Sequence, residues 1–264
     1  MPAAPVCLQH HLHVKIGKLM KDEIIYGLNS VMEALRGKRR AFELFVAGSH
    51  DRRLEKLLDL AEEKRVPVRH RDKRDLARIC GTDHHQGVAL RIERFAYAQL
   101  ADILERNTVR SNGLLLVLDG VQDPHNLGAL IRSAACAGAD GVIIPRDRAV
   151  GVTATVEKAS AGAVETVAVA EVTNIAQTLD ELKGAGFWIY GAAGESPDSI
   201  YDQKLTGAVA LVIGSEGEGI RPLVKKKCDM LVSIPLQGGI NSLNASVAGG
   251  IMLFEVVRQR IKNR

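Results

Sequence analysis

Two continuous apolar runs, Leu114-Leu-Leu-Val-Leu118 and Val209-Ala-Leu-Val-Ile213, constrain this chain more than any other feature. A strand with one wet face alternates apolar and polar residues. A strand buried on both faces does not alternate, and such strands belong to parallel sheets covered by helices on either side. From Leu114 onward the pattern keeps switching between strand and helix. Strands are expected at 114–118, 141–145, 166–170, 187–191, 209–214 and 230–234. Helices are expected at 126–137 and 156–161, with a long closing helix from about Leu243 to Arg260. That alternation predicts an α/β domain with ligand loops at the strand ends, over residues 113–264.

A smaller unit precedes it, over residues 22–94. Ile24-Ile-Tyr-Gly27 reads as a short strand, and Asn29 as the cap of a helix through Val31, Ala34 and Leu35. Phe42–Val46, Val66-Pro-Val68 and Gly87–Ile92 read as strands, and Leu54, Leu57, Leu58 and Ala61 mark an amphipathic helix over 52–64. Residues 95–112 are more polar and read as a linker around one short helix. Residues 1–21 carry no signal-peptide core and are set aside as a disordered or tag-like extension.

Composition excludes several classes. No apolar run approaches a membrane span, so a soluble cytoplasmic protein is expected. Cys7, Cys80, Cys136 and Cys228 lie far apart with no Cys-x-x-Cys, which argues against structural disulfides, a zinc finger or any metal site. Charge is uneven. The first 100 residues hold 19 Lys and Arg against 13 Asp and Glu, whereas the rest hold 16 against 18. Basic clusters at Arg36-Gly-Lys-Arg-Arg40 and His70-Arg-Asp-Lys-Arg74 suit a phosphate-rich partner for the first unit, though a merely solvated surface reads the same way.

The chemistry concentrates in three segments: Asp123-Pro-His-Asn-Leu-Gly-Ala-Leu-Ile-Arg132, Ile213-Gly-Ser-Glu-Gly-Glu-Gly219 and Ile234-Pro-Leu-Gln-Gly-Gly-Ile-Asn-Ser-Leu-Asn-Ala-Ser246. Neither a Gly-x-Gly-x-x-Gly turn nor a P-loop is present. The loop after Ile213 is instead glycine-rich and acidic. Its glycines permit a sharp turn and close approach of a ligand. Its glutamates disfavour phosphate and suit a ligand that is cationic or rich in hydrogen-bond donors. Ser242 reads as an N-cap of the final helix. That helix carries Val247, Ala248, Ile251, Phe254 and Val257 on one broad apolar face, part core and part candidate dimer surface.

In this order and at these spacings, the segments resemble the three motifs of the SpoU family, SPOUT-class RNA 2′-O-ribose methyltransferases. The resemblance implies a deep trefoil knot in the C-terminal domain, which no periodicity would predict because connections are normally unknotted. It also implies S-adenosyl-L-methionine as cofactor, held by main-chain groups at Gly214, Ile234 and Leu243, and a homodimer formed through the C-terminal domain. By match, Arg132 is the catalytic arginine and Asn126 shapes the pocket. Glu216 orients Arg132 or the loop, Asn244 assists from the third motif, and Ser242 lies near the substrate. Arginine keeps its proton in proteins. Two roles for Arg132 stand open: a base, which requires its deprotonation with help from a neighbouring phosphate and a desolvated pocket, or a cation that stabilises the forming alkoxide.

The first unit is similar to the L30e-like substrate-binding domain that many SpoU enzymes carry. Together with Leu118-Asp-Gly-Val-Gln-Asp-Pro-His-Asn126 and Phe254-Glu-Val-Val-Arg-Gln-Arg260, it gives the chain the look of the subgroup that methylates guanosine in bacterial 23S rRNA near the peptidyl-transferase centre. Two other readings are a transfer-RNA guanosine methyltransferase and a catalytically silent RNA-binding assembly factor.

Overall fold

The computed structural model describes residues 22–37, 39–47, 52–107, 112–239 and 242–262. The expectation for residues 1–21 lies outside them. The N-terminal unit is a four-stranded sheet in the order β1-β4-β2-β3. Strands β1 (Asp22–Tyr26) and β2 (Ala41–Val46) flank β4 (Val88–Glu93) antiparallel to it, and β3 (Val68–His70) runs parallel to β2. Helices α1 (Leu28–Arg36) and α2 (Arg52–Glu63) bury Val31, Leu35 and Leu57 against Leu44, Leu90 and Ile92 on one face. Leu76 of α3 (Lys73–Cys80) packs with Phe45 and Ala89 on the other.

Three local expectations need correction. Helix α1 starts one residue before Asn29, at Leu28, behind Gly27 in a left-handed conformation (φ 92°). Its first amide donates to Gln86 Oε1 at 3.0 Å, so the cap comes from a side chain 58 residues away. The strand expected at 66–68 forms at 68–70 instead, because Pro67 has no N–H for a ladder. Its carbonyl still accepts from Leu44 N. Helix α3 was hidden in a charged stretch, where Leu76 is its only buried residue and Asp72 caps it by accepting from Asp75 N at 2.7 Å.

The C-terminal unit is a six-stranded, wholly parallel sheet in the order β10-β8-β9-β5-β6-β7. Its strands are β5 (Leu114–Asp119), β6 (Gly141–Pro145), β7 (Ala168–Val172), β8 (Trp188–Ala192), β9 (Val209–Gly214) and β10 (Met230–Val232). The two apolar runs are its central pair, β5 and β9, buried along their whole length. Leu114, Leu116 and Leu118 face α5 (Pro124–Cys136) and α9 (Ala245–Lys262); Leu115 and Val117 face α4 (Leu100–Asn107) and α7 (Ile175–Gly184). The polar stretch expected as a linker is integrated into this layer. Ala98 bridges to Ala170, and Ile103 of α4 is 1% exposed. The chain moves outward one way from β5 to β7 and the other way from β9, so the order reverses at the β5–β9 boundary. Ligand crevices open at the carboxyl ends of strands at such a switch point.

The two units meet through α6 (Ala154–Ala159) and the turn that follows it. Arg39 is the centre of this joint: it reaches Glu23 at 2.6 Å, Glu157 at 3.0 Å and, through Nε, Glu165 at 2.8 Å. Nearby, Lys158 donates to the carbonyl of His84 at 2.6 Å and lies over the Tyr26 ring. A Cβ on Gly162 would sit 2.4 Å from Glu33 Cβ, so the backbones there are in contact distance. Part of the cluster expected to face an anionic partner is thus spent internally, Arg39 in the joint and Arg36 on Glu33.

One guanidinium cannot neutralise three carboxylates. Burial pushes the Glu157 carboxyl up to about 8, against the pull of Arg39, and its Oε2 has no hydrogen-bond partner among the described residues. The folded-state value lies above the unfolded one. The folded state therefore holds a proton that the unfolded chain releases, and its contribution to stability is complete below the unfolded value and lost as pH rises through about 8. Urea denaturation should show Glu157→Gln gaining on the wild type as pH rises from the ordinary carboxylate value of 4.5 to about 8, and no further gain above it. Arg39→Ala, which leaves buried carboxylates without a partner, should cost about 3–5 kcal/mol.

Candidate active site

The acidic loop is shaped first by its own backbone. Ser215 and Gly219 exchange two main-chain hydrogen bonds, at 3.0 and 3.2 Å, while Gly217 (φ 88°) and Gly219 (φ 67°) turn the chain between them. A Cβ on Gly214 would lie 2.0 Å from the carbonyl carbon of Gly219 and 2.2 Å from Ile220 N. Of the two uses that the sequence allows for these glycines, the sharp turn is the one that leaves no room for a side chain at Gly214. The loop exits at Arg221, whose N and Nε donate to Asp119 at 2.8 and 2.7 Å. Asp119 is 1% exposed at the end of β5, and this anchor had not been anticipated. An aspartate closing a fully apolar run was the signal for it, because a buried carboxylate requires a paired cation.

The third segment leaves β10 at Ile234 and leads into α9. Asn244, and not Ser242, caps that helix: its Oδ1 accepts from Ser246 N at 2.9 Å and Val247 N at 3.3 Å. Ser242 is exposed, two residues short of the cap. The first segment is capped in turn by Asp123, which accepts from His125 N at 3.0 Å, with Pro124 as the first helical residue. This places Asn126 in the first turn of α5, 6% exposed and facing the other two segments.

The three segments meet in one hydrogen-bonded cluster. Glu216 Oε1 accepts from Asn126 Nδ2 at 2.8 Å and from Asn244 Nδ2 at 2.5 Å, and Asn244 Nδ2 also approaches Asn126 Oδ1 at 2.9 Å. Of the two roles expected for Glu216, the structure holds the loop-fixing one. Arg132 is exposed on α5 and makes no hydrogen bond or ion pair with another described residue.

Beside the cluster lies a cleft of about 700 Å³, walled by the loops after β8, β9 and β10. Gly214, Ile234 and Leu243 all line it, as do Glu216, Ser242 and Asn244; Asn126 and Arg132 do not. Ile213, Ile220 and Val232 give it an apolar floor, and Glu216 and Glu218 an acidic rim. An ion pair between Lys225 and Glu195 closes the far wall and had no sequence signal. A planar, partly apolar ligand with a positive charge fits such a lining.

The outward side of α9 also departs from expectation. The core face is Ala245, Gly249, Met252, Leu253 and Val256, whereas Val247 and Phe254 are each 48% exposed. Ala248, Ile251 and Val257 of the expected face are half-buried, so that face is part packed and part exposed, and it lies beside a core face that the sequence did not single out.

Because Asn244 both caps α9 and binds Glu216, substitutions there separate the two jobs. Asn244→Ala should lose both and cost about 1–2 kcal/mol in urea denaturation. Asn244→Asp keeps a good cap but sets two carboxylates against each other. It should leave α9 stable while weakening small-molecule binding in the cleft, read by calorimetry with S-adenosylhomocysteine.

Comparison with known proteins agrees with this geometry. The SpoU rRNA methylase family model matches residues 113–254, and the model for RNA 2′-O ribose methyltransferase substrate binding matches residues 24–98. A 23S rRNA (guanosine-2′-O-)-methyltransferase RlmB from Ralstonia nicotianae is 46% identical over 244 residues, 92% of this chain and 98% of the relative. The protein of the same name from Haemophilus influenzae is 43% identical, over 91% of this chain and 99% of its own. Among solved structures, the SpoU methyltransferase AviRb from Streptomyces viridochromogenes superposes with a TM-score of 0.77 at 25% identity, covering 92% of this chain and 91% of its own. AviRb has also been solved in complex with the cofactor AdoMet. The chain belongs to the SpoU rRNA methylase family.

Proposed function

We propose that this protein transfers the methyl group of S-adenosylmethionine to the 2′-hydroxyl of a guanosine ribose in 23S rRNA, near the peptidyl-transferase centre, in the cytoplasm. The observation that carries the reading is the convergence of Asn126, Glu216 and Asn244 beside a cleft lined by Gly214, Ile234 and Leu243. The choice of 23S rRNA rests on relatives named for that activity, whose similarity runs through the N-terminal unit as well as the catalytic one. A transfer-RNA target accounts less well for that unit, which the family model describes as substrate-binding.

The cofactor, when bound, supplies an electrophilic methyl group on a positively charged sulfur. The chain's own residues do the rest. The apolar floor excludes water and accepts an adenine ring, while the acidic rim favours the cationic sulfur. Asn126, Glu216 and Asn244 lock two loops so that the cleft keeps its shape without a ligand. Arg132 points a permanent positive charge at the target ribose and stabilises the oxygen as its proton leaves. Ser242, at the cleft mouth, contacts the substrate side. The knotted chain path belongs to the same reading.

The working unit is a homodimer. Val247, Phe254 and Ile261 recur every seven residues on the outward side of α9, with 48%, 48% and 66% of their surface exposed. An apolar stripe of this kind on a charged surface suits a second copy of the same helix.

Tritiated-methyl transfer from S-adenosylmethionine to 23S rRNA, 16S rRNA and bulk transfer RNA tests the assignment. Incorporation into 23S rRNA alone is expected, with loss of at least about a hundredfold in Arg132→Ala and unchanged S-adenosylhomocysteine binding. Labelling of transfer RNA would replace the substrate. RNA binding without any incorporation would favour a silent assembly factor. Phe254→Asp should shift the sedimentation of the protein from dimer to monomer.

A further inference from the structure

The loop between β6 and α6, residues 146–153, takes no part in the three motifs, yet it is built with unusual care. Arg148 sits in the left-handed region at φ 58°, a conformation that costs a side-chain-bearing residue energy and persists only where the surroundings fix it. The surroundings do fix it. Val150 N donates to the carbonyl of Val121 at 3.0 Å, and Val152 N donates to the hydroxyl oxygen of Tyr97 at 2.8 Å. Thr153 then caps α6, the helix that carries the joint with the N-terminal unit.

The loop leads into that joint, and its inner edge lies near the acidic loop, with Gly120 between them. A Cβ built on Gly120 would lie 3.7 Å from the carbonyl oxygen of Arg148 and 3.9 Å from Cβ of Ser215, the residue before Glu216. Arg146 is paired with Glu171. Arg148, two residues on, is exposed and makes no ion pair or hydrogen bond with any other described residue. A fixed loop that packs near the acidic loop and leads into the helix of the joint thus carries an uncommitted guanidinium. Guanidinium groups placed in this way grip phosphate oxygens through paired hydrogen bonds.

We propose that Arg148 is a positioning residue that binds a backbone phosphate of the RNA strand beside the target nucleotide and so sets the ribose over the cleft. This rests on the RNA methyltransferase reading above and adds to it a residue outside all three motifs.

Filter binding of unmodified, transcribed 23S rRNA to the full chain, with S-adenosylhomocysteine present and across a salt titration, tests it. Arg148→Ala should weaken RNA binding about tenfold and reduce the slope of log affinity against log salt by about 0.7–0.9, the loss of one phosphate contact. Affinity for S-adenosylhomocysteine should not change. Arg148→Lys should keep most of the slope. Arg148→Gly relieves the left-handed strain but removes the charge, and should bind RNA as weakly as the alanine variant. Alanine and wild-type proteins with equal slopes would overturn the proposal. So would a glycine variant that binds like the wild type, since the backbone and not the charge would then be what matters. A wild-type protein that binds neither the RNA nor S-adenosylhomocysteine would instead overturn the functional reading beneath it.

Discussion

Glu216 accepts hydrogen bonds on one oxygen from two amides, one 90 residues before it and one 28 residues after it. The rest of the site depends on this. Each of the three segments leaves a different place on the sheet, and each has its own local device: Asp123 caps α5, the Ser215–Gly219 pair closes the acidic loop, and Asn244 caps α9. None of these devices sets one segment relative to another. The shared carboxylate does so, and a charged acceptor makes each bond stronger than one between neutral partners. The Asp119–Arg221 pair performs the same service at the loop's other end, tying it to β5.

Charge has two separate uses in this molecule. At the joint it is buried: Arg39 is surrounded by carboxylates, and Phe95 covers it with its ring centroid 5.6 Å from the guanidinium carbon. On the substrate-binding unit it is spent outward, with Arg69 through Arg74 exposed along β3 and the start of α3. Both kinds of arginine come from stretches of similar composition. What sets Arg39 apart is burial among three carboxylates, Glu23 from its own unit and Glu157 and Glu165 from α6 and the following turn, more than a hundred residues away.

This divides what the sequence could disclose from what it could not. The central strands were legible because burial on both faces forbids alternation, as the Leu114 and Val209 runs show. The cluster residues were legible by family resemblance, and Gly214, Ile234 and Leu243 line the cleft. Local periodicity failed where a single long-range contact decides the outcome. Gln86 caps α1 across the sheet, Asn244 takes the capping role from Ser242 because it also answers Glu216, and α3 exists on the strength of one buried leucine. The final helix was read half correctly. Its apolar residues were seen, but which of them faced inward depends on α5, where Leu130 fills the space beside Gly249.

The strand order has a consequence for how the chain is made. Strand β5 pairs with β6 and with β9, and β9 follows it by nearly a hundred residues. As the polypeptide emerges, β5, β6 and β7 can assemble early, while the substrate-binding sheet is already complete. The edge of β5 then stays open, presenting an apolar strand with unpaired backbone until β9 is synthesised. The middle of the finished sheet is thus filled late, with only the edge strand β10 to follow, and β9 must enter between β5 and β8 and not simply add to a rim. Until β9 has left the ribosome the chain carries a half-built sheet with an open apolar edge, the kind of surface that invites association between incomplete chains.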